Sequence, residues 1–150
     1  MTVTIGQYEY SLDPKNRLVV PPRYREALHA EKAPHFILAI GQDQCLWLFL
    51  PSQWEAFLED AKSLSREVKD KAKARAARRH LFSSAVEAPL DDQGRVLVPQ
   101  NLKDYAALAK DVVVVGAGNK AEIWSRGRWT EYSRKQAAPS FSELAKDLDL

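Results

Sequence analysis

Two segments of the chain carry an aspartate and an arginine at the same spacing. Residues 12–21 read Leu-Asp-Pro-Lys-Asn-Arg-Leu-Val-Val-Pro, and residues 90–99 read Leu-Asp-Asp-Gln-Gly-Arg-Val-Leu-Val-Pro. An aspartate can begin a tight turn by bonding its own backbone, and an exposed guanidinium on a hairpin can bind a phosphate or a guanine edge. The pattern therefore predicts two turns, with nucleic-acid recognition as their candidate chemistry. The alternative is a purely structural motif, in which the arginine simply pairs with the aspartate four residues before it.

Five residues of these segments are expected to shape the turns. Asp13 and Asp91 open them, and the acidic residues around Arg95 are expected to hold its guanidinium in a local pair. Asn16 and Gly94 occupy the last turn position, and both residue types tolerate a positive φ. These five residues are therefore predicted to have structural roles.

The basic residues of the first segment form the predicted binding surface. Four of them fall between residues 15 and 25 with no acidic residue among them: Lys15, Arg17, Arg23 and Arg25. Arg17 is the candidate for reading a base edge, and the other three are candidates for neutralising phosphates. The matching window of the second segment holds only Arg95 and Lys103. We therefore expect Arg17 to be free of acidic partners and the first turn to be the one that binds.

The two segments belong to an internal repeat that covers most of the chain. Arg17 corresponds to Arg95, and Trp54 corresponds to Trp129. One copy of about fifty residues would be only marginally stable alone, so the two copies are expected to close on each other as one domain. The chain then divides into repeat 1 (7–54), a helical insertion (55–84), repeat 2 (85–128), and a C-terminal helix and tail (129–150).

Apolar runs and turn residues predict the elements of each copy. In order these are a strand before each Asp-x-x-x-Arg turn, a short return strand, a helix begun by proline, and two paired strands. In the first copy the paired strands are 35–41 and 45–50, and in the second they are 112–115 and 121–124.

Helices are predicted outside the repeats. A capping-box pattern at Ser52 predicts a helix start there, and a basic, alanine-rich stretch predicts a second helix from about Ser65 to Arg79. The sequence Ala137-Ala138-Pro139 predicts a break, after which a second capping-box pattern begins at Ser140. The tail beyond it is expected to be either a short amphipathic helix or a disordered end. The basic run 66–79 is interpreted first as a solvated helix face, with a second phosphate-binding surface as the alternative.

Composition excludes several classes of protein. The 150 residues are 45% hydrophobic with a net charge of +2, which suits a globular core and is too mild to indicate nucleic-acid binding by itself. The single cysteine, Cys45, excludes an internal disulfide and fits a reducing compartment. No signal peptide or membrane-spanning run is evident, so a soluble cytoplasmic protein without a membrane partner is expected.

The remaining motifs do not indicate an enzyme. The three histidines lie far apart without metal-ligand spacing. Residues 116–121 match G-x-G-x-x-A, but a strand rather than the required helix is predicted to follow, so a hairpin is the interpretation. We therefore expect no cofactor, no metal, no small-molecule substrate and no catalytic residues.

These residues together resemble a known family, the MraZ transcriptional regulators, whose two repeats are of the AbrB (SpoVT-AbrB) type. The resemblance is carried by the paired Asp-x-x-x-Arg-aliphatic-aliphatic-Val-Pro hairpins at 13–21 and 91–99 and by Val-Gly-x-x-Asn-Lys-x-Glu-Ile-Trp at 115–124. The segment from Cys45 to Glu55 is also similar, and the resemblance extends to about residue 135.

The resemblance implies an α+β fold: a pseudo-two-fold, AbrB-like, swapped-hairpin β-barrel built from two internal repeats with flanking helices. It also implies ring-shaped homo-oligomers that bind short G-rich direct repeats in double-stranded promoter DNA. There they would act as repressors of the bacterial division and cell-wall gene cluster, in association with the nucleoid. The family's DNA-contacting residues correspond to Lys15 and Arg17, and the family usually has glycine where this chain has Asn16. The alternative is a ring-forming scaffold that binds protein partners through its basic helix and tail.

Overall fold

The computed structural model describes residues 2–149, except for the side chains of residues 64 and 65. Each copy consists of two strands, a short helix and two further strands, in the order that the internal repeat predicts. The strands are β1 (Gln7–Ser11), β2 (Arg17–Val19), β3 (His35–Ile40), β4 (Leu46–Phe49), β5 (Val86–Pro89), β6 (Arg95–Leu97), β7 (Asp111–Gly116) and β8 (Ala121–Ser125). The helices are α1 (Pro22–Ala30), α2 (Pro51–Glu67), α3 (Lys71–Ser84), α4 (Gln100–Tyr105), α5 (Arg126–Tyr132) and α6 (Ala138–Asp147), with a π-helical turn (Ser133–Ala137) between the last two.

The strands pair across the two repeats. Six of them form one antiparallel sheet in the order β1-β7-β8-β4-β3-β5, and β2 and β6 form a separate ribbon. The first strand of each repeat therefore pairs with the third strand of the other. The strand order also reads the same when the two repeats are exchanged. The expected α+β class and the exchange of hairpins between two repeats are confirmed.

The β2–β6 ribbon lies on the pseudo-two-fold axis. Leu18 is opposite Val96, while Arg17 is opposite Leu97 and Val19 is opposite Arg95. Successive side chains of a strand point to opposite faces. Because Leu18 and Val96 are buried, the two arginines and their aliphatic neighbours face outward from the core.

One hydrophobic core joins the sheet to the ribbon. Side chains from the ribbon, both sheet halves, α1 and α4 belong to the same buried cluster. Representative members are Leu18, Leu28, Leu38, Leu48, Val96, Leu102, Val114 and Ile123. Within residues 2–149 the hydrogen-bonded pairings describe a sheet and a ribbon, and none of them closes all eight strands into one barrel.

The outer face of the sheet is covered by helices in two places. Aromatic rings of α2 and α3 pack on β4, with Phe49 and Trp54 at 5.1 Å between ring centroids and Trp54 and Phe82 at 5.9 Å. Helix α5 covers the other half, where Trp129 lies 5.3 Å from Trp124. None of the described helices is long and apolar enough to cross a bilayer.

Helix α2 begins earlier than predicted. Its first residue is Pro51, and the backbone N–H of Leu50 donates to the side-chain oxygen of Gln53 at 3.0 Å. Ser52 instead donates from its hydroxyl to Glu31 at 2.6 Å. The predicted start at Ser52 is wrong because Gln53, three residues after Leu50, completes the cap and a proline suits the first helical turn.

The boundary between α2 and α3 also differs from the prediction. Helix α2 continues to Glu67, and α3 begins at Lys71 and ends at Ser84 rather than Arg79. The carboxylate of Asp70 accepts from the backbone N–H of Lys73 at 3.0 Å and so caps α3. Charged residues are frequent in this region, so the sequence pattern did not distinguish Asp70 as the N-cap.

The predicted break at residues 137–139 is wrong. Helical backbone angles continue through Ala137 and Ala138 into α6, and the N–H of Ala138 donates to the carbonyl of Ser133 across the π turn. Such a turn shifts the hydrogen bonding by one residue. Pro139, which has no N–H to donate, therefore falls at the start of the next helical segment. The predicted capping box at Ser140 does not form, because the helix has already begun.

Candidate nucleic-acid interface

The first turn is organised by the carboxylate of Asp13. One carboxylate oxygen accepts from the backbone N–H groups of Lys15 (2.9 Å) and Arg17 (2.8 Å), and the other accepts from Nε of Arg17 at 2.7 Å. Asn16 closes the turn with φ of 62°, and its N–H donates to the carbonyl of Asp13 at 3.0 Å. One aspartate therefore fixes both the backbone of the turn and the plane of a guanidinium.

The second turn repeats this geometry. Asp91 accepts from the backbone N–H groups of Gln93 and Arg95, both at 2.9 Å, and from Nε of Arg95 at 2.8 Å. Gly94 takes the position of positive φ, at 75°. The two turns are thus structural copies, although only two of the residues within them are identical in type.

These hydrogen bonds lower the pKa of both aspartates. In each turn the largest contribution is the backbone N–H of the arginine four residues later, and the bond from its side chain adds to it. Donors directed at a carboxylate stabilise its charged form. Asp13 and Asp91 are therefore ionised at neutral pH and keep their arginines in place.

The two turns are also joined to each other. The N–H of Val98 donates to the carbonyl of Asn16 at 2.8 Å, and the N–H of Val20 donates to the carbonyl of Gly94 at 3.0 Å. In addition, Nη1 of Arg95 lies 3.5 Å from the carboxylate of Asp13. Each turn therefore supports the return strand of the other repeat.

The outer face of the ribbon presents two cations between two aliphatic side chains. Arg17 lies beside Leu97, which is 58% exposed, and Arg95 lies beside Val19. Lys15 is exposed on the first turn. A two-stranded ribbon fits the major groove of B-DNA, where arginine can bond guanine and apolar groups can contact the thymine methyl group. The outer face of the ribbon therefore carries the kinds of groups that read base edges in the major groove.

The expectation that Arg17 has no acidic partner is wrong. Asp13 holds its Nε as firmly as Asp91 holds that of Arg95. The structure fits the alternative interpretation, in which each aspartate pairs with the arginine four residues later. Within the described residues Nη1 and Nη2 of Arg17 have no hydrogen-bond partner, so two of its nitrogens stay available.

The four basic residues of the first repeat do not cluster around the first turn. Arg25 lies over the second turn, where a Cβ added to Gly94 would be 2.3 Å from its Nη1. Lys103 of the second repeat comes to the first turn instead and donates to the side-chain oxygen of Asn16 at 3.1 Å. Arg23 is exposed on α1, beside Val3 near the N-terminus.

Lys103 is the residue of this site that sequence reasoning did not select. It occupies the position in the second repeat that Arg25 occupies in the first. In a swapped arrangement, each of these side chains must reach the turn of the other repeat. Alignment of the two repeats, together with the exchange of their hairpins, would have identified Lys103.

Arg25 lies where a Cβ at Gly94 would be, whereas Lys103 bonds the side chain of Asn16. We expect Gly94→Asn to lower the free energy of unfolding by about 1–3 kcal/mol, because the new side chain must displace the guanidinium of Arg25. The matched change Asn16→Gly should alter stability by less than about 1 kcal/mol. Urea unfolding of both variants measures this difference.

A double-mutant cycle tests the cause. The cost of Gly94→Asn should shrink in an Arg25→Ala background, where the displaced side chain is absent. An unchanged cost in that background would show that the backbone conformation, and not Arg25, requires glycine.

Two features of the described residues bear on metal binding and on nucleophilic chemistry. They contain no group of three or more side chains suited to hold a metal ion. Cys45 is fully buried, and burial raises the pKa of its thiol. A protonated, inaccessible thiol is a poor nucleophile.

The chain is similar to known proteins over nearly its whole length. A family model described as "MraZ protein, putative antitoxin-like" matches the chain twice, over residues 4–78 and 81–150. A protein of Heliobacterium modesticaldum named "Transcriptional regulator MraZ" is 44% identical, with 96% of this chain and 95% of that protein aligned. A protein of the same name from Pelotomaculum thermopropionicum is 41% identical over 96% of this chain and 94% of its own length.

Proposed function

Because the chain belongs to the MraZ family, we propose that it is a sequence-specific DNA-binding transcriptional regulator and not an enzyme. The observation that carries this proposal is the outward face of the β2–β6 ribbon. There Arg17 and Arg95 are each fixed by an aspartate of their own turn. The relatives that align with nearly the whole chain are named transcriptional regulators, which favours this use of the surface.

Arg17 is the proposed base-reading residue. Its Nε is bound to Asp13, so the plane of the guanidinium is set before DNA arrives and little side-chain entropy is lost on binding. The two remaining nitrogens can donate together to O6 and N7 of a guanine, which is the commonest specific contact of arginine with DNA. Guanine recognition would suit an operator made of G-rich repeats.

Lys15, Arg23 and Arg25 are proposed to neutralise phosphates. Lys15 is exposed at the first turn and Arg23 on α1, while Arg25 lies at the second turn. A phosphate-binding surface of this kind would extend over both turns. Lys103, bonded to Asn16, would position the first turn and add positive charge near it.

The operator is proposed to be a set of short G-rich direct repeats in double-stranded promoter DNA. A homo-oligomeric ring of identical subunits would place one hairpin surface on each repeat, so that weak single contacts combine into tight binding. The protein would thereby repress the bacterial division and cell-wall gene cluster, as a cytoplasmic protein associated with the nucleoid.

A scaffold that binds protein partners is the second candidate. It is favoured by one observation, the surface of α3 where Arg75, Arg78 and Arg79 surround the partly exposed ring of Phe82. Such a surface fits an acidic partner as well as it fits phosphate. DNA-binding measurements separate the two candidates.

A gel shift with the DNA upstream of the gene, compared with a scrambled duplex, tests the proposal. At two or more salt concentrations, specific binding should weaken steeply, with a slope of about −0.9 in log K against log [salt] for each neutralised phosphate. Preference for the upstream DNA that persists at the higher salt would support sequence-specific regulation. Absence of binding at low salt would favour the scaffold, and equal binding of both duplexes would contradict sequence recognition.

A further inference from the structure

Leu97 is a large apolar side chain on the outer face of the β2–β6 ribbon. Its exposed fraction is 58%, although its two neighbours along the strand, Val96 and Val98, are buried. An exposed leucine that stands alone on a surface needs no explanation. Leu97 instead lies on the face that the proposed function assigns to DNA, directly opposite Arg17. Its position therefore bears on what that face recognises.

Leu97 and Arg17 are close neighbours across the ribbon. The N–H of Val98 donates to the carbonyl of Asn16 at 2.8 Å, so these two opposite residues belong to the hydrogen-bonded kind of pair. The two kinds of pair alternate along an antiparallel ladder, which makes Arg17 and Leu97 a non-hydrogen-bonded pair. Side chains of such pairs approach most closely, with Cβ atoms about 4.5–5.5 Å apart. The guanidinium of Arg17 and the methyl groups of Leu97 thus leave the ribbon side by side.

The other end of the ribbon differs. There the aliphatic residue opposite Arg95 is Val19, which is partly buried. The side chain of Arg95 is 21% exposed, against 34% for that of Arg17. The end with Arg17 and Leu97 is therefore the more exposed of two ends that the repeat makes equivalent, and it carries the larger aliphatic side chain.

The major groove of B-DNA offers one apolar target. Thymine alone among the four bases presents a methyl group there, on C5. Guanine presents O6 and N7, to which the two remaining nitrogens of Arg17 can donate. Successive base pairs are about 3.4 Å apart along each strand, which is close to the separation of two side chains in a non-hydrogen-bonded pair. Side chains placed as Arg17 and Leu97 are would therefore meet a guanine and a thymine in neighbouring base pairs.

We propose that Leu97 is a specificity-determining residue, which packs against the C5-methyl group of a thymine in the base pair next to the guanine bound by Arg17. The contact removes apolar surface of both groups from water, which is favourable in proportion to the area buried. Leucine has no donor or acceptor, so it gains no comparable contact from the polar edges of the other three bases. This inference rests on the proposed function, and it adds a second base to the one that Arg17 recognises.

The test removes the methyl group and leaves the rest of the base unchanged. The DNA upstream of the gene is amplified with deoxyuridine triphosphate in place of thymidine triphosphate, and gel shifts compare the two forms. The wild type should bind the uracil form roughly three- to fivefold more weakly for each repeat engaged, as expected for the loss of one buried methyl group. Equal affinity for the two forms would overturn the proposal.

Variants of Leu97 assign the effect to this residue. Leu97→Ala should bind the thymine and uracil forms about equally, whereas Leu97→Met keeps an apolar side chain of similar size and should keep the preference. Val19→Ala is the matched change at the other end of the ribbon, and it should discriminate as the wild type does. A thymine preference that survives in Leu97→Ala, or that is lost equally in Val19→Ala, would show that Leu97 does not read the methyl group.

Single substitutions in the DNA locate the thymine. Duplexes that carry uracil at one position each should show the loss at a thymine in the base pair beside a guanine. Replacing that guanine with 7-deazaguanine, which lacks N7, should also weaken binding, because Arg17 loses an acceptor. A sensitive thymine with no guanine beside it would contradict the pairing of the two side chains on neighbouring bases.

Stability and assembly are measured on the same variants. Because Leu97 is mostly exposed, Leu97→Ala should keep the melting temperature of the wild type and its assembled mass in sedimentation velocity. A lower assembled mass would identify Leu97 as a contact between subunits and overturn the proposal. A wild type that binds the upstream DNA no better than a scrambled duplex would contradict the proposed function, whereas specific binding without a thymine preference would contradict this inference alone.

Discussion

Replacing Arg17 with alanine is expected to abolish specific DNA binding while the fold and the oligomer remain. One bidentate contact between arginine and guanine contributes roughly 1–3 kcal/mol of discrimination. When two subunits engage two repeats, both contacts are lost, so affinity for the operator should fall roughly a hundredfold or more. Because the side chain of Arg17 lies outside the core, the melting temperature of the variant should differ little from that of the wild type.

Arg95→Ala is the matched change in the second repeat, with a different expected result. The guanidinium of Arg95 contacts the carboxylates of both Asp91 and Asp13, so its removal loosens both turns. We expect the melting temperature to fall by about 5 °C, or the subunits to assemble less readily. Intrinsic affinity for a single repeat should change less than in Arg17→Ala.

Gel shifts and thermal melts on the two purified variants decide between these roles. Equal loss of operator binding with unchanged melting in both variants would show that the two turns read DNA equally. The distinction between a binding arginine and a structural one would then fail.

Inserting half a helical turn of DNA between two operator repeats is expected to lower affinity by about 10²- to 10⁴-fold. Five additional base pairs place the second repeat on the opposite side of the duplex. A rigid assembly bound to the first repeat could then no longer reach the second. Binding should fall to the level of a duplex with one repeat.

A duplex with one repeat supplies the monovalent reference for this measurement. An insertion of ten base pairs returns the second repeat to the same side of the duplex as the first, so affinity should recover in part. If the half-turn insertion leaves affinity unchanged, simultaneous binding of neighbouring repeats by neighbouring subunits is excluded.

The repeat made the fold and the turns predictable. Asp13 and Asp91 begin equivalent turns because the same local chemistry, an aspartate followed by backbone donors, occurs twice. Local patterns of this kind need no knowledge of distant residues. The positive φ of Asn16 and Gly94 follows from the same reasoning.

The positions of Arg25 and Lys103 were not predictable from neighbours along the chain. Arg25 is close to Arg17 in sequence but lies over Gly94 in the structure, because the hairpins are exchanged between repeats. The charge around a side chain depends on this exchange. The predicted basic cluster therefore combined residues that the fold separates.

The predictions of two helix boundaries were wrong for local reasons. At Ser52 the capping pattern competed with Gln53, whose side chain caps Leu50 instead. At Pro139 the missing N–H was accommodated by a wider turn, which a pattern based on α-helical spacing cannot represent. Both errors changed boundaries without changing the order of the elements.

The pairing of β1 with β7 has a consequence for synthesis on the ribosome. Residues 7–11 pair with residues 111–115, so the first strand made must wait for one of the last. At about 5–20 residues per second, translation leaves this strand without its partner for roughly 5–20 s. During that interval the nascent first repeat also lacks β5 and β6, which complete its sheet and ribbon. Productive folding is therefore expected late in translation, when the second repeat leaves the exit tunnel.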